Sequence, residues 1–376
     1  MFHERFLKRK RSGWVQGDLR ALGHPQRPRQ AQDFTASVVE FLEERALEIS
    51  PTKSTVTLFT PWNKEVNVTP PVSIKGTQIK LERDPKILGV TFSTMHTFSS
   101  HIKNAANKAK QRLNVLKSLA GTDWGQDKES LIMTYKSICR SVLEYGSPIW
   151  SPNISATSWT RLQSVQNSAL RIACGCFTMA AVDHLHRECK VLPLREHGQM
   201  LAEQYLIACH LDGHPGQGEL NRPPDRDLKK TILSYKNNIS GLINLGDDTA
   251  TYKNAIKTVH TRTVSETVNS YPPNRVLGEA PPEIHAEEVT LSRKTRSLLS
   301  QLRSGFSNLL LSYKSKIEEE VDDICPLCSQ SPHDTRHLFS CPSNPTVMTP
   351  DYLWTQPILA ANFLKIDEQA DTQAED

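Results

Sequence analysis

The chain has 376 residues, a length that suits two or three domains of ordinary size. Hydrophobic residues make up 38% and charged residues 23%, with 23 prolines, which points to compact cores joined by long connections. The net charge of +4 excludes a uniformly basic protein, and no run of eighteen apolar residues argues for a membrane span. Charge is nonetheless uneven. The first thirty residues hold eight Lys or Arg against two acids, so residues 1–33 read as a basic, disordered arm, with residues 8–11 a short solvated run. Val38, Phe41, Leu42, Ala46 and Ile49 recur at helical spacing and predict a helix over 34–49, closed by Ser50-Pro51. β-branched and aromatic runs then predict short antiparallel strands at 55–59, 72–74, 78–81 and 87–92, the second and third joined through Gly76.

From Thr97 the pattern turns helical. Residues 97–119 place Ile102, Ala105, Ala109, Leu113 and Leu116 on one face and Lys103, Lys108, Lys110, Arg112 and Lys117 elsewhere. A turn at 121–125 contains Trp124. Further helices are predicted over 127–144 (stripe Leu131, Tyr135, Ile138, Val142), 155–173 (Leu162, Val165, Ala169, Ile172) and 194–211. Gly213, Pro215, Gly216, Gly218, Pro223 and Pro224 mark 212–230 as a linker or long loop. Residues 231–290 are weakly patterned and predict short helices and loops. A helix over 291–317 carries Leu298, Leu302, Phe306, Leu309 and Leu310 with Arg293, Lys294, Arg296 and Arg303. The tail after Ile366 is acidic and polar.

The eight cysteines are not spaced as a disulfide framework, which suits a reducing compartment. Cys325 and Cys328 are two residues apart. After eight intervening residues comes His337, and Cys341 lies four positions beyond it, so a helical turn would put both on one face. Three thiolates and one imidazole complete a zinc tetrahedron and leave no open position, so the role is structural. His333 is a competing fourth ligand whose shorter gap strains the turn. A second group, Cys174, Cys176, His184, His186 and Cys189, is read as core packing with surface histidines.

A resemblance rests on several segments in order. Leu47-Glu-Ile-Ser-Pro-Thr-Lys53 is similar to the palm of reverse transcriptases just after the catalytic hairpin. Pro85-Lys-Ile-Leu-Gly89-Val-Thr-Phe92 resembles the hairpin that follows it, and Thr97-Phe-Ser-Ser-His101 the start of the thumb. Tyr135 to Trp150, Leu162 to Ile172, Leu192-Pro-Leu194, Leu302-Arg-Ser-Gly305, the cysteine cluster and Leu353-Trp354 complete the likeness to the C-terminal portion of a non-LTR, jockey-like retrotransposon reverse transcriptase. The fold class this implies is α+β and mostly helical. It places a palm remnant at 34–96, a helical thumb and connection at 97–211, a linker with short helices at 212–290, a basic helix with a zinc knuckle at 291–365 and a disordered tail at 366–376.

The resemblance implies RNA and DNA as partners, in the element's own ribonucleoprotein, with cytoplasmic and nuclear localisation and no membrane. Lys53 would lie near the incoming nucleotide, and Lys103, Lys108, Lys110 and Arg112 would meet template–primer phosphates. Polymerisation needs carboxylates that hold two magnesium ions, which the family takes from an early palm aspartate and a Tyr-Ala-Asp-Asp hairpin. Residues 1–33 contain neither. Asp247-Asp248 and Asp322-Asp323 come after the palm segment and read as solvated surface. The expectation is a fragment of an RNA-directed DNA polymerase that is inactive alone and retains nucleic-acid binding. Two alternatives stand beside it: an enzyme whose palm, with its magnesium, is supplied by a longer polyprotein, and a non-enzymatic scaffold whose zinc module binds protein.

Overall fold

The computed structural model describes the backbone of residues 27–60, 62–121, 125–217, 230–244 and 247–366. The predicted arm before residue 27, Trp124, most of the proline-rich linker and the tail after Ile366 lie outside these residues. The chain divides into two compact units, Met1–Ser100 and His101–Asp376.

In the first unit, α1 (Arg27–Glu43) starts earlier than its apolar period suggests and stops before Ala46, which sits at φ 54°. Six two-residue strands follow: β1 (Thr55–Val56), β2 (Ser73–Ile74), β3 (Thr77–Gln78), β4 (Lys80–Leu81), β5 (Lys86–Ile87) and β6 (Val90–Thr91). β2 and β3 form one antiparallel pair and β5 and β6 another, whereas β1 pairs with β4 in parallel. The expected single strand over 87–92 is therefore a hairpin. Leu88 and Gly89 both have positive φ, 47° and 90°, the requirement of a type I′ turn, whose twist matches that of its strands. Val72, Ile74 and Ile79 form a small core against Ala31, Val39, Ile49 and Val56. Gln32 joins helix to strand, its amide donating to the Ser73 carbonyl at 3.1 Å and accepting from the Ser73 N–H at 2.8 Å.

The second unit is helical. α2 (Ser99–Leu119) buries all five residues of its predicted stripe. The next rod begins at α3 (Lys128–Thr134), capped by Asp127, whose carboxylate accepts from Ser130 N–H. It continues as a π-helical stretch, Tyr135–Arg140, and ends as α4 (Ser141–Leu143). The wider π turn moves the buried line: Cys139 and Leu143 are fully buried, where α-helical spacing predicts Ile138 and Val142. α5 (Ser147–Trp150), α6 (Ala156–Cys174), α7 (Val182–Cys189) and α8 (Leu194–Ala208) follow. α6 packs on α3, α7 and α8.

The weakly patterned stretch after residue 230 holds α9 (Lys230–Ile239) and a 22-residue helix, α10 (Thr249–Ser270), in place of the expected short helices. Both lie on α8 around Met200, Ile207, Ile239, Ile243, Ala255 and Val259. The link between them is ionic. Buried Glu203 accepts from Arg262 at 2.6 Å, Asn238 at 2.7 Å and Gln199 at 3.0 Å.

The helix predicted over 291–317 is shorter. α11 (Arg293–Ser304) stops at Gly305, left-handed at φ 74°, the usual way to close a helix. The apolar run continues past that stop into α12 (Leu311–Lys314). Leu299, Leu302, Phe306, Leu310 and Tyr313 build a C-terminal core with Phe339, Leu353, Trp354, Ala360, Ala361 and Ile366.

Candidate metal centre and basic helix

The four predicted ligands converge. One donor atom from each of Cys325, Cys328, His337 and Cys341 lies within 4.8 Å of all the others, and the group could hold a metal ion. Cys325 Sγ is 3.9 Å from Cys341 Sγ, and Cys328 Sγ is 3.2 Å from His337 Nε2. Zinc bonds of about 2.3 Å to sulfur and about 2.0 Å to nitrogen imply tetrahedral edges of about 3.5–3.8 Å, so the spacing fits.

Local hydrogen bonds set this geometry. A bridge between Ile324 and Pro332, with Cys325 N–H donating to Ser331 O at 2.8 Å, closes the first loop. Ser329 N–H donates to Cys325 O at 2.9 Å and turns the chain at φ 54°. Asp334 caps α13 (Thr335–Leu338), its carboxylate accepting from His337 N–H at 2.8 Å. Cys341 lies beyond the end of α13, so a following turn, rather than the expected shared helical face, brings it to His337. His333 is not part of the cluster: its Nδ1 accepts from Leu311 N–H at 3.2 Å.

Burial pushes the Cys325 thiol up, but the N–H groups of Cys328 and Leu327 and the side chains of His337 and Cys328 bring it down to about 7. Cys341 is raised, by desolvation and by the neighbouring sulfurs of Cys325 and Cys328. Protons must leave this set before a metal enters.

The module is built into the C-terminal core. Phe339, between His337 and Cys341, is buried in that core and stacks on Phe363 at 5.8 Å. Thr335 Oγ1 donates to Leu302 O at 3.0 Å, and Arg336 Nε to Val276 O at 2.6 Å. Phe339 and Thr335 are thus as much part of the packing as Leu302 is.

Lys103, Lys108, Lys110, Arg112 and Lys117 are all exposed on α2, a helix with no acidic residue. Lys103, Lys110 and Lys117 fall seven residues apart, in one line about 21 Å long. Arg112 faces another way and donates to Ile138 O at 2.6 Å, so it also ties α2 to the π stretch. Lys53 belongs to the first unit, exposed at the end of a 3₁₀ turn, Pro51–Lys53. Asp248 is the N-cap of α10, accepting from Thr251 N–H at 2.8 Å, and Asp247 accepts from Asn244 N–H. Asp322 accepts from Ile324 N–H at 3.2 Å. Among the described residues no carboxylate set is grouped to hold a metal.

Sequence reasoning missed a buried charge network. Arg303 is fully buried and donates to Glu188 at 2.8 Å, to Glu288, and to the Leu353 carbonyl at 2.9 Å. Lys128 reaches both carboxylates, at 3.0 and 3.2 Å, and Arg296 holds Glu129 at 2.6 Å. The signal was available: Arg296, Leu299 and Arg303 share one helical face, so two of the four basic residues of this helix sit on its buried side.

No family model matches this chain, and no solved structure does. Among curated proteins, the "Probable RNA-directed DNA polymerase from transposon X-element" of Drosophila melanogaster is 25% identical over 207 residues, covering 52% of this chain. This chain is similar to a transposon RNA-directed DNA polymerase. The match spans 22% of that polymerase's length, and it supports a reverse-transcriptase-like relationship. No described helix is long and apolar enough to cross a membrane.

Proposed function

We propose that this chain is a C-terminal piece of a jockey-like retrotransposon reverse transcriptase that grips RNA or DNA and does not polymerise by itself. The acid-free exposed face of α2 carries the reading. Three lysines in line, with Asn107 and Asn114 exposed between them, offer repeated charge and amide donors to a phosphate backbone. Such contacts are independent of sequence and sensitive to salt. Zinc is the metal proposed for Cys325, Cys328, His337 and Cys341, because four protein donors with three sulfurs suit it and leave no place for substrate. Lys53 is the proposed neighbour of an incoming nucleotide when a palm is present. Magnesium enters only with carboxylates from elsewhere in a longer protein, and cytoplasmic and nuclear localisation follows from the same reading.

The test is filter binding of single-stranded RNA across a salt series. Substituting Lys103, Lys110 and Lys117 by Gln is expected to reduce the slope of log affinity against log salt by about 2, near 0.7 per lost phosphate contact. An unchanged slope removes α2 from the interface. Primer extension on an RNA template with magnesium is expected to give no product, and extension by the purified chain would overturn the second half of the proposal.

A further inference from the structure

The first unit carries a series of aromatic rings outside its small core. Phe98 is buried, and Phe92 leans on it with ring centroids 5.4 Å apart. Phe59 stands steeply inclined to Phe92 at 6.4 Å. His96 lies on Phe59 at 4.7 Å, the two planes 29° apart. The series therefore runs outward from a buried ring to exposed ones: Phe59 is 40% exposed, and His96 is exposed as well. Trp62, 56% exposed, follows Phe59 by three residues. Its N–H donates to Thr60 Oγ1 at 3.1 Å, and Thr60 N–H donates to Thr94 O at 3.0 Å, which ties the segment of Trp62 to that of His96.

The backbone is strained where it presents the imidazole. His96 and Phe98 both have left-handed φ, 53° and 54°, a region that ordinary side chains avoid. Ser93 Oγ holds the turn by accepting from Thr97 N–H at 2.9 Å and from Phe98 N–H at 3.3 Å. Thr94 donates twice to Arg83 O, from N–H and from Oγ1, each at 3.1 Å. Strain that neighbouring bonds hold in place gathers at binding sites.

Shape and charge say what such a surface receives. An imidazole backed by a phenyl ring offers a flat, rigid face and not a groove for a helix. Residues 51–98 hold six Lys or Arg against three acids, and Lys64 and Lys86 are exposed among them. Glu65, the acid nearest Trp62 in the chain, accepts from Thr60 Oγ1 at 2.7 Å. Flat rings among cations match a polyanion that carries flat rings of its own.

We propose that His96, backed by Phe59, and Trp62 are stacking platforms for the unpaired bases of single-stranded RNA. This contact differs in kind from the phosphate grip of α2, and it rests on the nucleic-acid reading of the chain given above. Stacking accepts any base, because every base has a π face.

The test is filter binding of the full, zinc-supplied chain to a single-stranded RNA oligomer and to an abasic oligomer of the same length, which keeps the phosphates and lacks the bases. The abasic strand is expected to bind about a hundredfold more weakly, about tenfold for each of two stacked bases. Trp62→Leu and His96→Asn are each expected to lower RNA affinity about tenfold and to leave the slope of log affinity against log salt unchanged, since no phosphate contact is lost. Asn suits position 96 because it tolerates left-handed backbone. Trp62→Phe, which keeps a ring, is expected to bind as the wild type does. Equal affinity for the two oligomers would overturn this proposal and leave the phosphate grip standing, whereas binding to neither would remove both. Trp62→Leu and His96→Asn chains that hold RNA as tightly as the wild type would also overturn it, the result expected if these rings receive a protein segment instead. The comparison of oligomers uses the wild-type chain alone and stands even where a variant fails to fold.

Discussion

Arg303 carries a charge at a position with no exposure, and its neighbours explain why it stays there. Burial lowers its pKa, while Glu188 acts in the opposite direction. Glu188 is itself pushed up by burial, but Arg303 and Lys128 outweigh that and hold its carboxyl far below the ordinary range. A pair of this kind adds little over a well-packed apolar pair, yet removing one partner strands the other. Glu188→Ala is therefore expected to cost about 3–5 kcal/mol in urea unfolding. Glu188→Met combined with Arg303→Met is expected to cost less than the sum of the two single changes. The pH dependence has a definite sign. A depressed folded pKa gives stability that is complete above the unfolded value, about 4.3, and is lost as pH falls below it. Unfolding midpoints followed from about pH 5 to 3 should fall more steeply for the wild type than for Glu188→Gln, and parallel curves would refute the assignment. The metal ligands, by contrast, were legible, because thiols and imidazoles at these intervals have few other uses. Glu188, Glu288 and Arg303 are far apart in the chain, and only packing brings them together.

At the scale of elements, what the sequence shows depends on whether one period governs a segment. The stripe of α2 is regular, and all of it is buried. The rod from Lys128 to Leu143 changes period at Tyr135, so Ile138 and Val142 were expected where Cys139 and Leu143 lie. The apolar pattern carries α11 past its end because Phe306 and Leu310 stay apolar beyond the stop at Gly305, and helix and loop bury the same core there. Residues 87–92 look like one strand because Ile87 and Val90 are both β-branched. The two residues between them form a hairpin turn, which the likeness to a reverse-transcriptase hairpin had implied. That turn holds a flaw that can be repaired. Leu88 sits at φ 47° with 82% exposure, a left-handed backbone that costs an ordinary side chain about 1–2 kcal/mol. Asn tolerates that region and leads Asn-Gly, the preferred type I′ pair. Leu88→Asn is expected to raise the stability of the first unit by about 1 kcal/mol, measured by hydrogen exchange of Phe92 N–H, which donates to Pro85 O. Faster exchange in the variant would show that the turn is not type I′.

For the molecule as a whole, the metal centre matters through the core that surrounds it. In a free-standing knuckle, losing the metal would unfold only the loop that bears the ligands. Here Phe339 lies between two ligands and is buried with Trp354, Leu302 and Phe306. Thr335 and Arg336 bond to the end of α11 and to the chain at Val276. Leu353, next to Trp354, accepts from Arg303, so the metal loop, the C-terminal core and the buried charges form one connected body. Metal binding and folding of this body are thus one equilibrium: at free zinc about a thousandfold above Kd, binding stabilises it by about 4 kcal/mol. Chelation should lower the thermal midpoint of the whole C-terminal core, with a red shift of Trp354 emission that is absent in Trp354→Phe. Acid should mimic chelation, because protons compete with the metal for the same sulfurs. Cys325→Ser with Cys328→Ser should match the chelated wild type both in metal content and in thermal midpoint. A double variant that lost its metal but kept its midpoint would show that packing alone holds this core, with the ion merely a passenger.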